Sequence, residues 1–169
     1  MSIQLTDQPA IYVGTYEKYN DGNLFGAWFQ LDRFENAEAF WEAARALHRD
    51  EADPELMFQD WQSIPEGMVG ESHTSDDLWP WLKLDAETRE IVRVYRKRVN
   101  AEGSIADALD AFSGQYKSRA AFAERDFEDQ GLVVPEHLQG FVDWDRMALS
   151  LESGGVTFAL EDGKLWVFA

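Results

Sequence analysis

An α+β fold is predicted for this chain, and three features predict it. β-Branched and aromatic residues fill positions 11–16 and 25–31 on either side of the turn signal Asn20-Asp21-Gly22-Asn23, the pattern of an antiparallel strand pair. Apolar residues then recur at helical spacing: Ala37, Phe40, Trp41, Ala44, Leu47 and His48. At the far end, residues 156–161 and 164–168 are joined by Asp162-Gly163, two residues that tolerate the positive φ of a tight hairpin turn. The chain reads as three parts: an N-terminal β-β-α-β unit within 1–63, a helical middle at 64–113, and a mixed C-terminal unit at 114–169 ending in the hairpin.

Each element has a local reason. The β-β-α-β pattern runs from residue 3 to about residue 62. Asp32 with Glu35 three residues on resembles a capping box, and Asn36 offers a second cap for the first helix. Asp53-Pro54 closes that helical stretch, because the residue before proline avoids helical backbone. Residues 56–61 form a third strand. Residues 64–77 are polar, carry two glycines and a proline, and read as a linker. Leu78-Trp79-Pro80-Trp81-Leu82 is a short apolar block. Asp85 caps a helix over 86–100 with Leu84, Ile91, Tyr95 and Val99 on one side. Glu102-Gly103 stops it. Ser104 and Asp107 start another, with Ile105, Ala108, Leu109 and Phe112 inward and Ser113-Gly114 at its end. Residues 115–117 form a short strand. Ser118 caps a helix to Asp129, closed by Gly131, and Asp143 caps one carrying Met147, Ala148 and Leu151. In the hairpin, Val156, Phe158 and Leu160 alternate with Thr157, Ala159 and Glu161.

Charge narrows the function. The 169 residues hold 32 acids against 15 bases, a formal charge of −17. Phosphate neutralisation needs Lys and Arg, so nucleic acid is excluded as a partner, and anionic membranes should repel the chain. A basic protein surface is the natural partner. The acid is concentrated in residues 50–71, where Asp50, Glu51, Asp53, Glu55, Asp60, Glu66 and Glu71 face no Lys or Arg within the stretch. Leu56, Met57, Phe58 and Trp61 are interleaved with them, which a purely solvating acidic tail would lack. The opposite exception is Arg89, Arg93, Arg96, Lys97 and Arg98. These are expected to pair with Glu87, Glu90 and neighbouring acids of the same chain or a second subunit, since a −17 field is a poor setting for a DNA-binding patch.

Catalytic and metal patterns are missing. There is no cysteine, hence no disulfide framework. His48, His73 and His137 lack the i, i+4 spacing of a zinc helix, and His48 falls on an apolar helix face where a core-edge role is expected. Residues 70–73 lack a nucleophile elbow, and Asp143-Trp144-Asp145 lacks the rest of a calcium loop. No catalytic residue, metal or cofactor is expected. The start carries no basic-then-apolar leader pattern, and no apolar run approaches the ~20 residues of a membrane span. A cytoplasmic protein is expected.

Tyr19-Asn20-Asp21-Gly22-Asn23-Leu24-Phe25-Gly26-Ala27-Trp28-Phe29 resembles the N-terminal signature of the ArdA antirestriction proteins. Gln59-Asp60-Trp61, the segment from Val134-Pro135-Glu136-His137 through Asp143-Trp144, and the closing hairpin are similar to that family too, so the resemblance spans nearly the whole chain. It implies an elongated three-part fold, a homodimer, and a protein charged and shaped like bent B-form DNA. Such proteins block the DNA-binding groove of type I restriction-modification enzymes and are carried on mobile elements. Charge arithmetic agrees: with one negative charge per ~1.7 Å of duplex, −17 equals the charge on roughly 29 Å of DNA, and a dimer's −34 roughly 58 Å.

The expected function is therefore inhibition by mimicry without catalysis, with carboxylates standing in for phosphates. The candidates are Glu35, Glu38 and Glu42 on the first long helix, the seven acids of residues 50–71, Asp76 and Asp77, and Glu124, Asp126, Glu128 and Asp129. The alternative is an acidic adaptor for another basic DNA-binding protein. A two-carboxylate hydrolase ranks below both.

Overall fold

The computed structural model describes residues 8–169, so the predicted strand pattern at residues 3–7 lies outside the described residues. The fold is α+β, with two three-stranded antiparallel sheets and helices packed on them. The chain forms two compact units, residues 1–93 and 94–169. Among the described residues no helix is long and apolar enough to cross a membrane.

The first unit is built on β1 (Ala10–Thr15), β2 (Ala27–Gln30) and β3 (Leu56–Gln62), in the order β2-β1-β3. β1 is buried at every position except Tyr12, which is half-buried, and Ile11 and Val13 are fully buried. They face α2 (Ala37–Leu47), whose Phe40 and Ala44 are also fully buried. Phe40 is the hub of the core. Its ring lies 5.5–5.9 Å from those of Phe29, Phe34, Trp41, Phe58 and Trp79.

Several local expectations are corrected here. Asn36, not the Asp32/Glu35 box, caps α2, its side chain accepting from Ala39 N at 2.9 Å. A short helix, α1 (Tyr16–Asn20), intervenes between the first two strands, and β2 starts at Ala27 rather than at Phe25. Thr15 caps α1 and is itself buried. Residues 64–77 are no mere linker: Met68 and Val69 are buried, Val69 bridges Thr74, and Glu71 O accepts from Phe58 N at 2.6 Å alongside β3. The apolar block becomes α3 (Leu78–Leu82), with Leu78, Trp79, Trp81 and Leu82 buried.

The next helix, α4 (Ala86–Arg98), starts in the first unit, and its last turn belongs to the second. Ile91 and Tyr95 are buried as expected, but Val99 lies beyond the helix and is exposed, while Val92 and Val94 are fully buried.

In the second unit, α5 (Ile105–Ala111) begins with the expected Ser104/Asp107 capping box. It runs straight into β4 (Phe112–Tyr116), so Phe112 is a strand residue, and Leu109 faces solvent. α6 (Arg119–Asp129) and α7 (Trp144–Ser153) are capped by Ser118 and Asp143. The sheet order is β4-β6-β5, with β5 (Thr157–Glu161) and β6 (Lys164–Phe168) forming the closing hairpin. Asp162 and Gly163 take φ of 50° and 75°, as that turn requires.

Phe158 and Val167 pack with Phe122 and Ala123 of α6 and Ala148 of α7. On the other face Phe168 meets Tyr95 of α4 at 5.5 Å. Because both faces are covered, simple alternation fails at the strand end. Leu160 is 66% exposed and Glu161 only 7%.

Candidate functional site

Most of the candidate carboxylates lie on the surface. Glu35, Glu38, Glu42, Asp50, Asp53, Glu55, Asp60, Glu66, Glu71, Asp76, Glu124, Glu128 and Asp129 are exposed, and Glu51, Asp77 and Asp126 are half-buried. The first unit carries 19 acids against 7 bases, an excess of 12, and the second 13 against 8, an excess of 5. The acidic field is therefore mainly a property of the first unit.

α2 presents Glu38 and Glu42 four residues apart on its outer face, with Glu35 just ahead of the helix. Four residues of helix rise ~6 Å. One strand of duplex DNA places a phosphate every ~3.4 Å of axis, so this row is about half as dense. Glu38 and Glu42 line a shallow hollow with Trp41 and Arg45, whose guanidinium lies 5.9 Å from the Trp41 ring. Among the described residues Glu35, Glu38, Glu42, Asp53, Glu55, Glu71, Asp76 and Glu124 form no ion pair.

Asp50 and Glu51 behave differently. The Lys18 ammonium uses three donors on three acceptors: Glu51 Oε1 at 2.6 Å, Asp50 Oδ1 at 3.1 Å and His48 Nδ1 at 3.2 Å. His48 Nε2 lies 3.2 Å from Val13 O, and its Nδ1 faces the Lys18 ammonium. Thr15 Oγ1 donates to Glu51 at 2.6 Å. The hydrogen bond to Glu51 holds the Lys18 pKa above its ordinary value against the cost of burial. The Lys18 hydrogen bond lowers that of Asp50. Burial pushes Glu51 up, but the bonds from Lys18 and Thr15 outweigh it and the net shift is downward. These two acids share one cation inside the fold, which offsets half of their charge. His48 is the fully buried pivot of the network.

Asp53 and Glu55 sit on the approach to β3, and Asp60 lies within it. In the second unit, α6 carries the other group. Arg125 pairs with Asp129 at 2.9 Å and reaches Glu128 at 3.7 Å, and Asp126 accepts from Gln130 at 2.7 Å. Glu124 and Glu128 rim a hollow of about 240 Å³ lined by Phe127, Leu132, Val133 and Trp144.

The basic run is absorbed as expected, through acids mostly not foreseen. Arg93 pairs with Glu90 at 2.5 Å and Arg89 with Asp32 at 3.4 Å. Arg89 also lies over Trp81 and donates to Leu82 O. Arg96 is buried and donates to Ala101 O at 2.9 Å. Lys97 and Arg98 converge on Glu161, with Arg98 Nη2 at 2.7 Å. Their hydrogen bonds take the Glu161 pKa down to about 2. Nothing in the sequence around Lys18 or Glu161 marks either as the centre of an ion-pair network. Each lies some thirty or more positions from its partners, with no local spacing to mark it.

Among the described residues no group of three or more His, Asp or Glu is placed to hold a metal ion. No curated protein matches the chain. A family model described as antirestriction protein (ArdA) matches residues 11–165. That span takes in β1, the acidic segment, α6 and most of the closing hairpin, and the chain belongs to the ArdA family of antirestriction proteins.

Proposed function

We propose that this chain inhibits type I restriction-modification enzymes as a non-catalytic DNA mimic. Its carboxylates occupy the positions of phosphates in the enzyme's basic DNA-binding groove. The observation that carries the reading is the acid of the first unit: nine acids and no base in the sequence between residues 50 and 77, around and along β3, together with the Glu38/Glu42 row of α2. The principal contacts are Glu35, Glu38, Glu42, Asp53, Glu55, Asp60, Glu66, Glu71, Asp76 and Asp77. Asp50 and Glu51 add less, because both are tied to Lys18, whose single charge offsets half of theirs. Glu124, Asp126, Glu128 and Asp129 form a second, weaker group partly offset by Arg125.

The active species in this reading is a cytoplasmic homodimer encoded on a mobile element. Support for self-association comes from the second unit, where Val133 and Phe141 are each 84% exposed beside exposed Leu132 and Leu138. Apolar surface of that kind marks an interaction site. The test is competition: the chain is titrated against a type I enzyme bound to labelled DNA. Displacement at stoichiometric dimer supports the reading, and a ternary complex with DNA still bound overturns it in favour of an adaptor.

A further inference from the structure

The register of the first sheet lines up three side chains on one face. Tyr12 of β1 pairs with Trp28 of β2 on one side and Asp60 of β3 on the other. Directly paired residues point the same way, so the three form a row across the sheet, on the face opposite Ile11 and Val13. The Tyr12 and Trp28 rings meet edge to face with centroids 5.6 Å apart. The Tyr12 hydroxyl donates to Leu24 O at 3.0 Å, which fixes the middle of the row. Trp28 is nevertheless 40% exposed and Asp60 is exposed. Elsewhere this chain covers aromatic rings with its own cations: Lys18 at Phe25, Arg45 at Trp41, Arg89 at Trp81 and Arg119 at Phe158. Among the described residues no cation stands over Trp28, and Asp60 accepts from the backbone N–H of Trp61 at 2.8 Å without an ion pair.

We infer that the Trp28–Tyr12–Asp60 row is a receptor for an arginine side chain of a basic protein partner. An indole and a phenol ring attract a cation, most strongly at the indole. The adjacent carboxylate takes the two-pronged hydrogen bonding that a guanidinium offers and an ammonium does not. Neighbouring strands lie ~4.8 Å apart, so the row spans ~10 Å, enough for the guanidinium plane to rest on the rings with its donors toward Asp60. The excess of 12 acids draws a basic partner to this unit. The inference rests on the proposed reading and deepens it, because the face selects arginine over lysine where a bare acidic field would treat them alike.

The full chain is titrated calorimetrically with nona-arginine and nona-lysine peptides. The wild type binds the arginine peptide about three- to tenfold tighter. Trp28→Thr removes that preference, and Asp60→Asn weakens arginine binding more than lysine binding. The Glu38→Gln/Glu42→Gln pair weakens both peptides alike and leaves the ratio intact. No preference in the wild type, or a ratio unchanged in Trp28→Thr, overturns the inference. Should Trp28→Thr fail to fold, Asp60→Asn decides: equal losses for the two peptides overturn it. Competition with DNA for a type I enzyme is measured in parallel. A wild type that shows the arginine preference but does not displace DNA overturns the mimicry alone. Displacement without the preference overturns the arginine receptor alone.

Discussion

Glu161 shows how much a single residue's setting changes its chemistry. In sequence it is one more acid at a hairpin turn. In the fold it is buried between Lys97 and Arg98 at the last turn of α4, and its pKa falls to about 2. A carboxylate whose folded pKa is lowered contributes stability that is fully present above its ordinary value of 4.5 and is lost as pH falls from there toward 2. The wild type should therefore lose thermal stability more steeply than Glu161→Gln between pH 4.5 and 2, and the gap between the two melting curves should be widest at neutral pH. Calorimetric scans across that range check it. Aromatic residues divide in the same way. Trp28 and Trp61 are each 40% exposed, so neither has the fully buried setting whose truncation unfolds a chain. Phe40 is the residue with that property, and Phe40→Ala should cost about 3–5 kcal/mol against well under half of that for Trp28→Ala, measured by denaturant unfolding.

At the scale of the element, α2 joins a core face to a proposed binding face. Its inner stripe, Phe40 and Ala44, holds the first sheet, and its outer face carries Glu38 and Glu42. Exposed charges act singly by small amounts. Glu38→Gln alone should change affinity for a type I enzyme by no more than a few fold. Glu35, Glu38 and Glu42 neutralised together should cost more, and mostly in the association rate, since a long-range field acts on encounter. Stopped-flow association kinetics on folded variants measure this. A single carboxylate that abolished binding while whole blocks elsewhere stayed silent would replace the distributed account with a local hot spot. The Asp50/Glu51 pair should be the weakest block in the first unit, because Lys18 already offsets half of its charge.

For the whole molecule, charge sets the salt dependence. Binding of DNA releases counterions condensed on densely spaced phosphates. The carboxylates here are sparser and some are paired internally, so affinity for the enzyme should fall with rising salt along a shallower slope than that of DNA. An affinity flat from low to high salt contradicts the electrostatic mechanism. The proposed self-association follows opposite logic: two −17 chains repel, so screening should tighten a dimer. Sedimentation at micromolar concentration from low to physiological salt checks this, with Phe141→Asp as the variant expected to give monomer.

The elements with strictly local causes were legible in the amino-acid order. The hairpin at Asp162-Gly163, the caps at Ser104, Ser118 and Asp143, and the apolar stripe of α2 each depend on residues within a few positions of one another. So did the acidity itself, since net charge is a property of composition, and the signature around residues 19–29 that pointed to the family. Tertiary structure decided what distance along the chain conceals. Lys18 meets Asp50 and Glu51 only because α1 folds back beside the end of α2, and Glu161 is buried only because α4 covers the second face of a sheet whose alternation implied one. Residues 64–77 contribute Met68 and Val69 to a core that their polar composition hid. The exposure of Trp28 belongs with these. An aromatic residue in a strand reads as core by default, and only the sheet order and register place it on the face away from α2. Local propensity reports what each segment can form. Which side chains end up covered depends on segments packed from elsewhere in the chain, and no window of sequence contains them.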